Sequence, residues 1–164
     1  MPQLIKDRAV VDDTWTLLRK PDDAIPSSGS VIVPLATWQS RRDELVVRGD
    51  VAVWLAASDD PADLGSDAAT LPLIAVDFPQ FTDGRGYSIG RLLRQRHGFT
   101  GELRAIGDVQ RDQLYYLSQC GFNAFSIRPD RSAEDALGGL TDFTDGYQLT
   151  NARTPWFRRH ATGA

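Results

Sequence analysis

Thiols and imidazoles are almost absent from this sequence of 164 residues. Cys120 is the only cysteine, and His97 and His160 are the only histidines. A lone cysteine cannot form an internal disulfide, and a cysteine-ligated iron–sulfur cluster needs about four thiolates. The usual zinc sites also need more cysteine or histidine than the chain contains. No iron–sulfur cluster of its own is therefore expected, and any redox chemistry requires a bound cofactor or a partner protein.

Long apolar runs and an excess of positive charge are also absent. No stretch approaches the ~20 apolar residues that cross a bilayer, and the N-terminus lacks the basic-then-apolar order of a signal peptide. The formal net charge of −4 disfavours nucleic acid as the main partner. We therefore expect a cytoplasmic protein that binds neither membranes nor nucleic acid.

Lysine is scarce, whereas arginine is abundant. Lys6 and Lys20 are the only lysines beside sixteen arginines. The planar guanidinium group presents a fork of N–H donors that matches the geometry of an oxyanion, which lysine cannot copy. The composition thus directs attention to arginines near strand ends as candidate ligands of an anion.

Five apolar runs alternate with segments of helical pattern from residue 31 onward. The predicted strands are 31–35, 51–56, 71–78, 102–107 and 123–128. The predicted helices are 38–49, 61–69, 88–97, 109–120 and 132–145, with expected N-caps at Thr37, Asp60, Asp108 and Ser132. Doubly buried strands joined by helices predict an α/β domain with a parallel sheet. An open doubly wound sheet and a partial (β/α) barrel both remain as alternatives.

The two ends of the chain differ from this core. Residues 3–18 alternate between apolar and polar side chains, which predicts a β-hairpin followed by a short extended segment. Residues 19–30 are rich in proline, serine and glycine and predict a loop. We therefore divide a single domain, 1–164, into an N-terminal cap (1–30), an α/β core (31–145) and an exposed tail (146–164).

Charged and polar side chains follow the predicted strands at the points where they end. The carboxyl ends of parallel strands share one edge of the sheet, which is the usual ligand edge of α/β folds. The predicted ligand-binding set is Asp77, Asp83, Gly84, Arg85, Gly86, Tyr87, Ser88, Asp108, Gln113 and Arg128. Three of these aspartates could also hold Mg²⁺, but helix capping and ion pairing are their more ordinary roles, so no metal is predicted.

The stretch "DGRGYSIG", residues 83–90, has two interpretations. Glycines before a helix start, together with Arg85, suit a small oxyanion such as sulfite, sulfate or phosphate. The structural alternative is a glycine turn in which Arg85 pairs with Asp77 or Asp108. A nicotinamide or flavin site is a third possibility, because Gly84, Gly86 and Gly90 resemble part of a dinucleotide fingerprint. Against that possibility, five residues separate the strand end from the first glycine.

Residues 71–125 closely resemble the bacterial DUF934 family, through "DGRGYS", "GELRAIGDV", "RDQL" and "CGF" in that order. A weaker likeness covers "LIKDRAVVDD" and "VPLATW". Proteins of this kind are described as probable oxidoreductases involved in sulfite reduction, a description that rests on their place beside sulfite reductase genes. Gly90 stands where relatives are expected to carry alanine. The resemblance supplies no catalytic residues.

Three functional hypotheses follow. The first is an accessory protein of assimilatory sulfite reduction that binds a sulfur oxyanion or docks on sulfite reductase. The second is an NAD(P)- or flavin-dependent oxidoreductase of the same pathway, with NADP or flavin as the possible cofactor. The third is an interaction module without a ligand, which would use Trp156 and Phe157 of the tail.

Overall fold

The computed structural model describes residues 2–80, 84–128 and 130–141 of the chain. Its strands are β1 (Gln3–Lys6), β2 (Ala9–Asp12), β3 (Thr16–Leu17), β4 (Val31–Pro34), β5 (Val51–Leu55), β6 (Leu73–Phe78), β7 (Glu102–Gly107) and β8 (Ala124–Phe125). Its α-helices are α1 (Leu35–Ser40), α2 (Arg42–Arg48), α3 (Arg85–Gln95), α4 (Leu114–Gln119) and α5 (Ala133–Leu137). Three 3₁₀ helices are found in this part of the chain, at Pro61–Ala69, Arg111–Gln113 and Gly138–Thr141.

The strands form one curled, half-barrel sheet, which confirms the mixed α/β class. The order across the sheet is β2-β1-β8-β7-β6-β5-β4-β3. Strands β3 to β8 are parallel and follow each other in sequence, whereas β1 pairs antiparallel with both β8 and β2. Among the described strands the order does not reverse as it does in a doubly wound sheet. The antiparallel edge is a further departure from the predicted parallel sheet.

The short connection between β2 and β3 explains why the sheet must curl. These two strands lie at opposite edges of the sheet, yet only residues 13–15 separate them. A flat sheet of this width would place its edges about 34 Å apart at about 4.8 Å per strand. The four residue steps from Asp12 to Thr16 reach about 14 Å at most. The two edges must therefore approach each other, and residues 13–15 bridge them.

Successive side chains along the strands point to opposite faces of the sheet, and both faces are buried. On β6, Ile74, Val76 and Phe78 join the larger apolar core, which also contains the buried faces of the helices. Leu73 and Ala75 point to the opposite, concave face, where they pack with Trp15 and other side chains. The same alternation places Asp77 on the concave face, at the carboxyl end of its strand.

The N-terminal segment contributes β1, β2 and β3 to the same sheet as the core strands. The hairpin turns at Asp7 and Arg8, both with positive φ, and adds β1 to the edge of β8. Residues 13–15 then lead to β3, whose pairing with β4 carries the segment along the opposite edge of the sheet. Along this segment, Leu18 accepts a hydrogen bond at its carbonyl oxygen from the indole Nε1 of Trp54, at 2.9 Å.

The helix ends confirm some of the capping predictions. Asp60 accepts a hydrogen bond from the Ala62 N–H at 2.9 Å, and Pro61 is the first residue of the following 3₁₀ helix. Gly49 ends α2 with φ at 75°, and Ser132 accepts from the Asp135 N–H at 3.3 Å.

Two predicted N-caps are wrong. The helix expected after Thr37 already begins at Leu35, and it is interrupted at Arg41, which separates α1 from α2. Gln110, not Asp108, caps the 3₁₀ helix before α4. In both cases a neighbouring residue takes up the extended backbone that a cap requires. Within the described residues, every helix is too short or too polar to cross a bilayer.

Candidate functional site

The carboxyl ends of β6, β7 and β8 surround an open cleft of about 490 Å³, here called the rim cleft. The described residues that line it are Arg19, Asp77, Pro79, Gly107, Asp108 and Arg128. Asp77, Asp108 and Arg128 belong to the predicted ligand-binding set, and successive parallel strands bring them together as expected of this edge. Arg19 was not predicted to belong to the set.

Arg19 reaches the rim cleft from the N-terminal segment. Its Nη1 donates to Asp77 Oδ1 at 3.0 Å, and its guanidinium carbon lies 5.4 Å from the centre of a Trp54 ring. The side chain nevertheless remains 45% exposed. The pairing of β3 with β4 places the residues after Leu17 at the carboxyl edge of the sheet. A local sequence pattern does not reveal this pairing, and the only available signal was an extended segment that ends in an arginine.

Gly107 makes room for the Asp77 carboxylate. Its φ is 92°, in the region that favours glycine. A Cβ atom at this position would lie 2.6 Å from Asp77 Oδ1 and 2.5 Å from the Phe78 carbonyl oxygen. Any larger residue would therefore strain the backbone and displace the carboxylate that orients Arg19.

Asp108 and Arg128 form the second ion pair of the cleft. Arg128 Nη1 donates to Asp108 Oδ1 at 3.2 Å, and the same oxygen accepts from Gln110 Nε2 at 3.2 Å. Arg128 Nε and Nη2 also donate to the two carboxylate oxygens of Asp130, at 3.1 and 3.2 Å. The charge of Asp130, followed by the hydrogen bond and charge of Asp108, raises the pKa of Arg128. The cleft thus holds two cations that carboxylates fix in place, Arg19 by Asp77 and Arg128 by Asp108 and Asp130.

Two of the three glycines of "DGRGYSIG", Gly86 and Gly90, are required by packing. A Cβ at Gly86 would lie 2.5 Å from Phe78 Cζ, and one at Gly90 would lie 2.3 Å from Phe122 Cε2. Neither glycine has a positive φ. The two aromatic rings, with centres 5.9 Å apart, therefore occupy the space that side chains on this face of α3 would fill. Alanine at position 90 would require the Phe122 ring to move in this chain.

The remaining predicted residues lie away from the rim cleft. Tyr87 is half-buried, and burial raises its pKa, while its hydroxyl accepts from Gln113 Nε2 at 3.4 Å. Gln113 is buried, and its Oε1 accepts from the backbone N–H of Gln110 at 2.9 Å. Gly84, Arg85 and Ser88 are exposed around the start of α3 and do not line the rim cleft. Asp83 lies outside the described residues.

The structure also contains a buried ion cluster that was not predicted from the sequence. Arg104 is only 3% exposed; its Nε and Nη2 donate to Glu102 Oε1 at 2.9 and 2.8 Å, and its Nη1 donates to Asp13 Oδ1 at 3.0 Å. Lys6 completes the cluster at 3.3 Å from Glu102. This buried cluster ties Asp13 to β7; its Arg104 and Glu102 side chains are buried, whereas Lys6 is 42% exposed.

A metal site is not formed by the described residues. In the ranges 2–80, 84–128 and 130–141, three potential ligands of the histidine, cysteine, aspartate or glutamate type do not come together. Asp77 and Asp108, two of the three aspartates considered for Mg²⁺, each accept a hydrogen bond from an arginine.

Comparison with known proteins identifies the family. No curated protein and no solved structure matches the chain. The sequence profile of DUF934, described as a bacterial protein of unknown function, matches residues 52–157. This span includes Asp77, Gly107, Asp108 and Arg128 of the rim cleft, whereas Arg19 lies outside it. Because the match covers more than half of the chain, the protein belongs to the DUF934 family.

Proposed function

We propose that this protein is an accessory protein of assimilatory sulfite reduction that binds a sulfur oxyanion in the rim cleft. The observation that carries the proposal is the arrangement of Arg19 and Arg128 at one opening. Arg19 is held by one carboxylate and Arg128 by two, and their side chains remain 45% and 40% exposed. Proteins of this kind are described as involved in sulfite reduction, and that description supports the choice of a sulfur anion.

The geometry of the two arginines suits an anion with several oxygens. Asp77 engages Nη1 of Arg19, so other N–H donors of this guanidinium group are available to a ligand. Charge-assisted hydrogen bonds from guanidinium to oxyanions are shorter and stronger than neutral ones. Carboxylates that fix both arginines beforehand reduce the entropy lost when an anion binds. The cleft is therefore prepared for an oxyanion that bridges the two cations.

A nicotinamide or flavin cofactor is less well supported. Dinucleotides bind open α/β sheets where the strand order reverses, and the described parallel strands follow one another without reversal. Two of the three glycines that suggested a dinucleotide fingerprint, Gly86 and Gly90, pack against the rings of Phe78 and Phe122. Docking of the same arginines on an acidic group of sulfite reductase remains compatible with the site.

Thermal denaturation with a panel of anions tests the proposal. Sulfite, sulfate and phosphate would be compared with chloride at equal ionic strength, since a ligand at about 100 times its Kd adds about 2.7 kcal/mol to the unfolding free energy. We expect sulfite or sulfate to raise Tm, and Arg19→Gln and Arg128→Gln to abolish the rise. Arg41→Gln is the control, because Arg41 forms a comparable exposed pair with Glu44 far from the cleft in sequence. If neither sulfur anion stabilises the wild-type protein, anion binding is refuted.

A further inference from the structure

A second cavity adjoins the rim cleft and is here called the side groove. Its volume is about 590 Å³, and it shares Arg19, Gly107 and Arg128 with the rim cleft. From these shared residues it extends to Arg131 and Glu134 near the start of α5. The two cavities are therefore adjacent parts of one surface depression, with Arg19 and Arg128 at their junction.

The size of this depression exceeds what an inorganic oxyanion can fill. Cavities of roughly 300–1,000 Å³ are typical of sites for organic ligands, and each of the two cavities alone lies in that range. A sulfite or sulfate ion bridging the two arginines would leave the side groove occupied only by water. The shape favours a ligand with an anionic end and an organic body.

The polar groups of the side groove indicate the chemistry of that body. Arg131 and Glu134 are both exposed, and within the described part of the chain neither side chain forms an ion pair or a hydrogen bond. Arg131 therefore offers donors and Glu134 offers acceptors that are not used by the fold. The hydroxyl of Ser126 and the amide of Gln3 also lie along the groove. Together with the apolar side chains of Leu17, Ile106 and Ile127, which also line the groove, these groups suit a body that has apolar faces and polar edges.

We propose that the ligand is an organic sulfate or phosphate ester whose body is a sugar or a nucleoside. The oxyanion lies between Arg19 and Arg128, and the body extends along the side groove toward Arg131 and Glu134. This inference rests on the proposed function, because it uses the same two arginines, and it adds the class of molecule to which the oxyanion is attached.

Calorimetric titration with matched pairs of ligands tests this inference on the full-length protein. Glucose 6-sulfate is compared with inorganic sulfate, and ribose 5-phosphate and adenosine 5′-monophosphate are compared with inorganic phosphate. We expect at least one ester to bind tenfold or more tightly than the inorganic ion of its pair. Arg131→Gln and Glu134→Gln should remove most of that advantage and leave the affinity for the inorganic ion unchanged. Arg19→Gln should weaken the ester and the ion alike.

The results separate the two proposals. Esters that bind no more tightly than inorganic ions, or groove variants that weaken ions and esters equally, would overturn the inference and leave the anion site intact. Binding of an ester without measurable binding of sulfite or sulfate would support the inference and contradict the free-ion form of the proposed function. Absence of any binding would overturn both.

Discussion

Two groups of arginine–carboxylate pairs on the same sheet differ in how far their guanidinium groups are buried. Arg104 is 3% exposed, and three of its nitrogen atoms donate to Glu102 and Asp13. Arg19 and Arg128 are 45% and 40% exposed. Both groups contain fixed guanidinium groups, but only the rim pairs face an open cleft. Burial, and not the presence of an ion pair, distinguishes a structural arginine from a candidate ligand-binding one.

The position along the strand explains this difference. Arg104 lies in the middle of β7, on the concave face beneath residues 13–15, where water is excluded and each donor needs a partner. Arg19 and Arg128 follow the ends of β3 and β8, where the chain leaves the sheet. Substituting one arginine at a time tests whether burial separates the two groups.

The largest effect is expected for Arg104→Met. Removing one partner of a buried pair leaves the other charge uncompensated and costs about 3–5 kcal/mol of unfolding free energy. Glu102 and Asp13 would both lose their guanidinium partner in this variant. Urea unfolding of wild type and variant measures the change. A loss below about 1 kcal/mol would show that the buried cluster behaves like a surface pair.

Gly107→Ala should cause the second-largest loss of unfolding free energy, because it combines backbone strain with a steric clash between the added Cβ atom and atoms at the rim cleft. Gly29→Ala is a matched control, since Gly29 has the same φ of 92° and no atom within 4 Å of an added Cβ. The strain common to both variants is of order 1–3 kcal/mol, and overpacking should add about 1–3 kcal/mol at position 107 only. Equal destabilisation of the two variants, measured by urea unfolding, would mean that the Asp77 carboxylate moves aside freely.

The pair formed by Asp67 and Arg42 is intermediate between the two groups, because the carboxylate is buried and the arginine is exposed. The hydrogen bond from Arg42, supported by one from Trp38, lowers the pKa of Asp67. Because the folded pKa lies below the unfolded one, this carboxylate stabilises the protein above the unfolded pKa of about 3.9. That contribution is lost as the pH falls through the folded pKa. Asp67→Asn should flatten the acid limb of a plot of unfolding free energy against pH. An unchanged slope would contradict the assignment.

The core of the fold was predictable from the sequence because its signals are local. The apolar run of β7 predicted the bounds Glu102–Gly107 that the structure shows, and Asp60 followed by Pro61 predicted a helix start correctly. These features depend on side-chain periodicity and on backbone preferences of single residues. Strand bounds and caps of this kind need no knowledge of distant contacts.

The site was only partly predictable because it depends on contacts between distant segments. Asp77, Asp108 and Arg128 were found from their positions after strands, but Arg19 enters through the pairing of β3 with β4. The packing reason for Gly86 and Gly90 lies in Phe78 and Phe122, which are not neighbours in the local pattern. The spacing of apolar residues along the sequence does not show which aromatic ring will pack against a given glycine.

The smallest effect on stability is expected at the Arg19–Asp77 pair, which contrasts most strongly with the buried Arg104 cluster. Exposed ion pairs contribute about 0.2–1 kcal/mol, so a double-mutant cycle of Arg19→Gln and Asp77→Asn should give a coupling energy within that range. Anion binding should nevertheless fall in both single variants, because Arg19 supplies donors and Asp77 orients them. A coupling energy above about 2 kcal/mol, with anion affinity unchanged, would place this pair with Arg104 as a structural one. A small coupling energy together with a loss of anion binding would instead identify the Arg19–Asp77 pair as part of a ligand-binding site at the sheet edge.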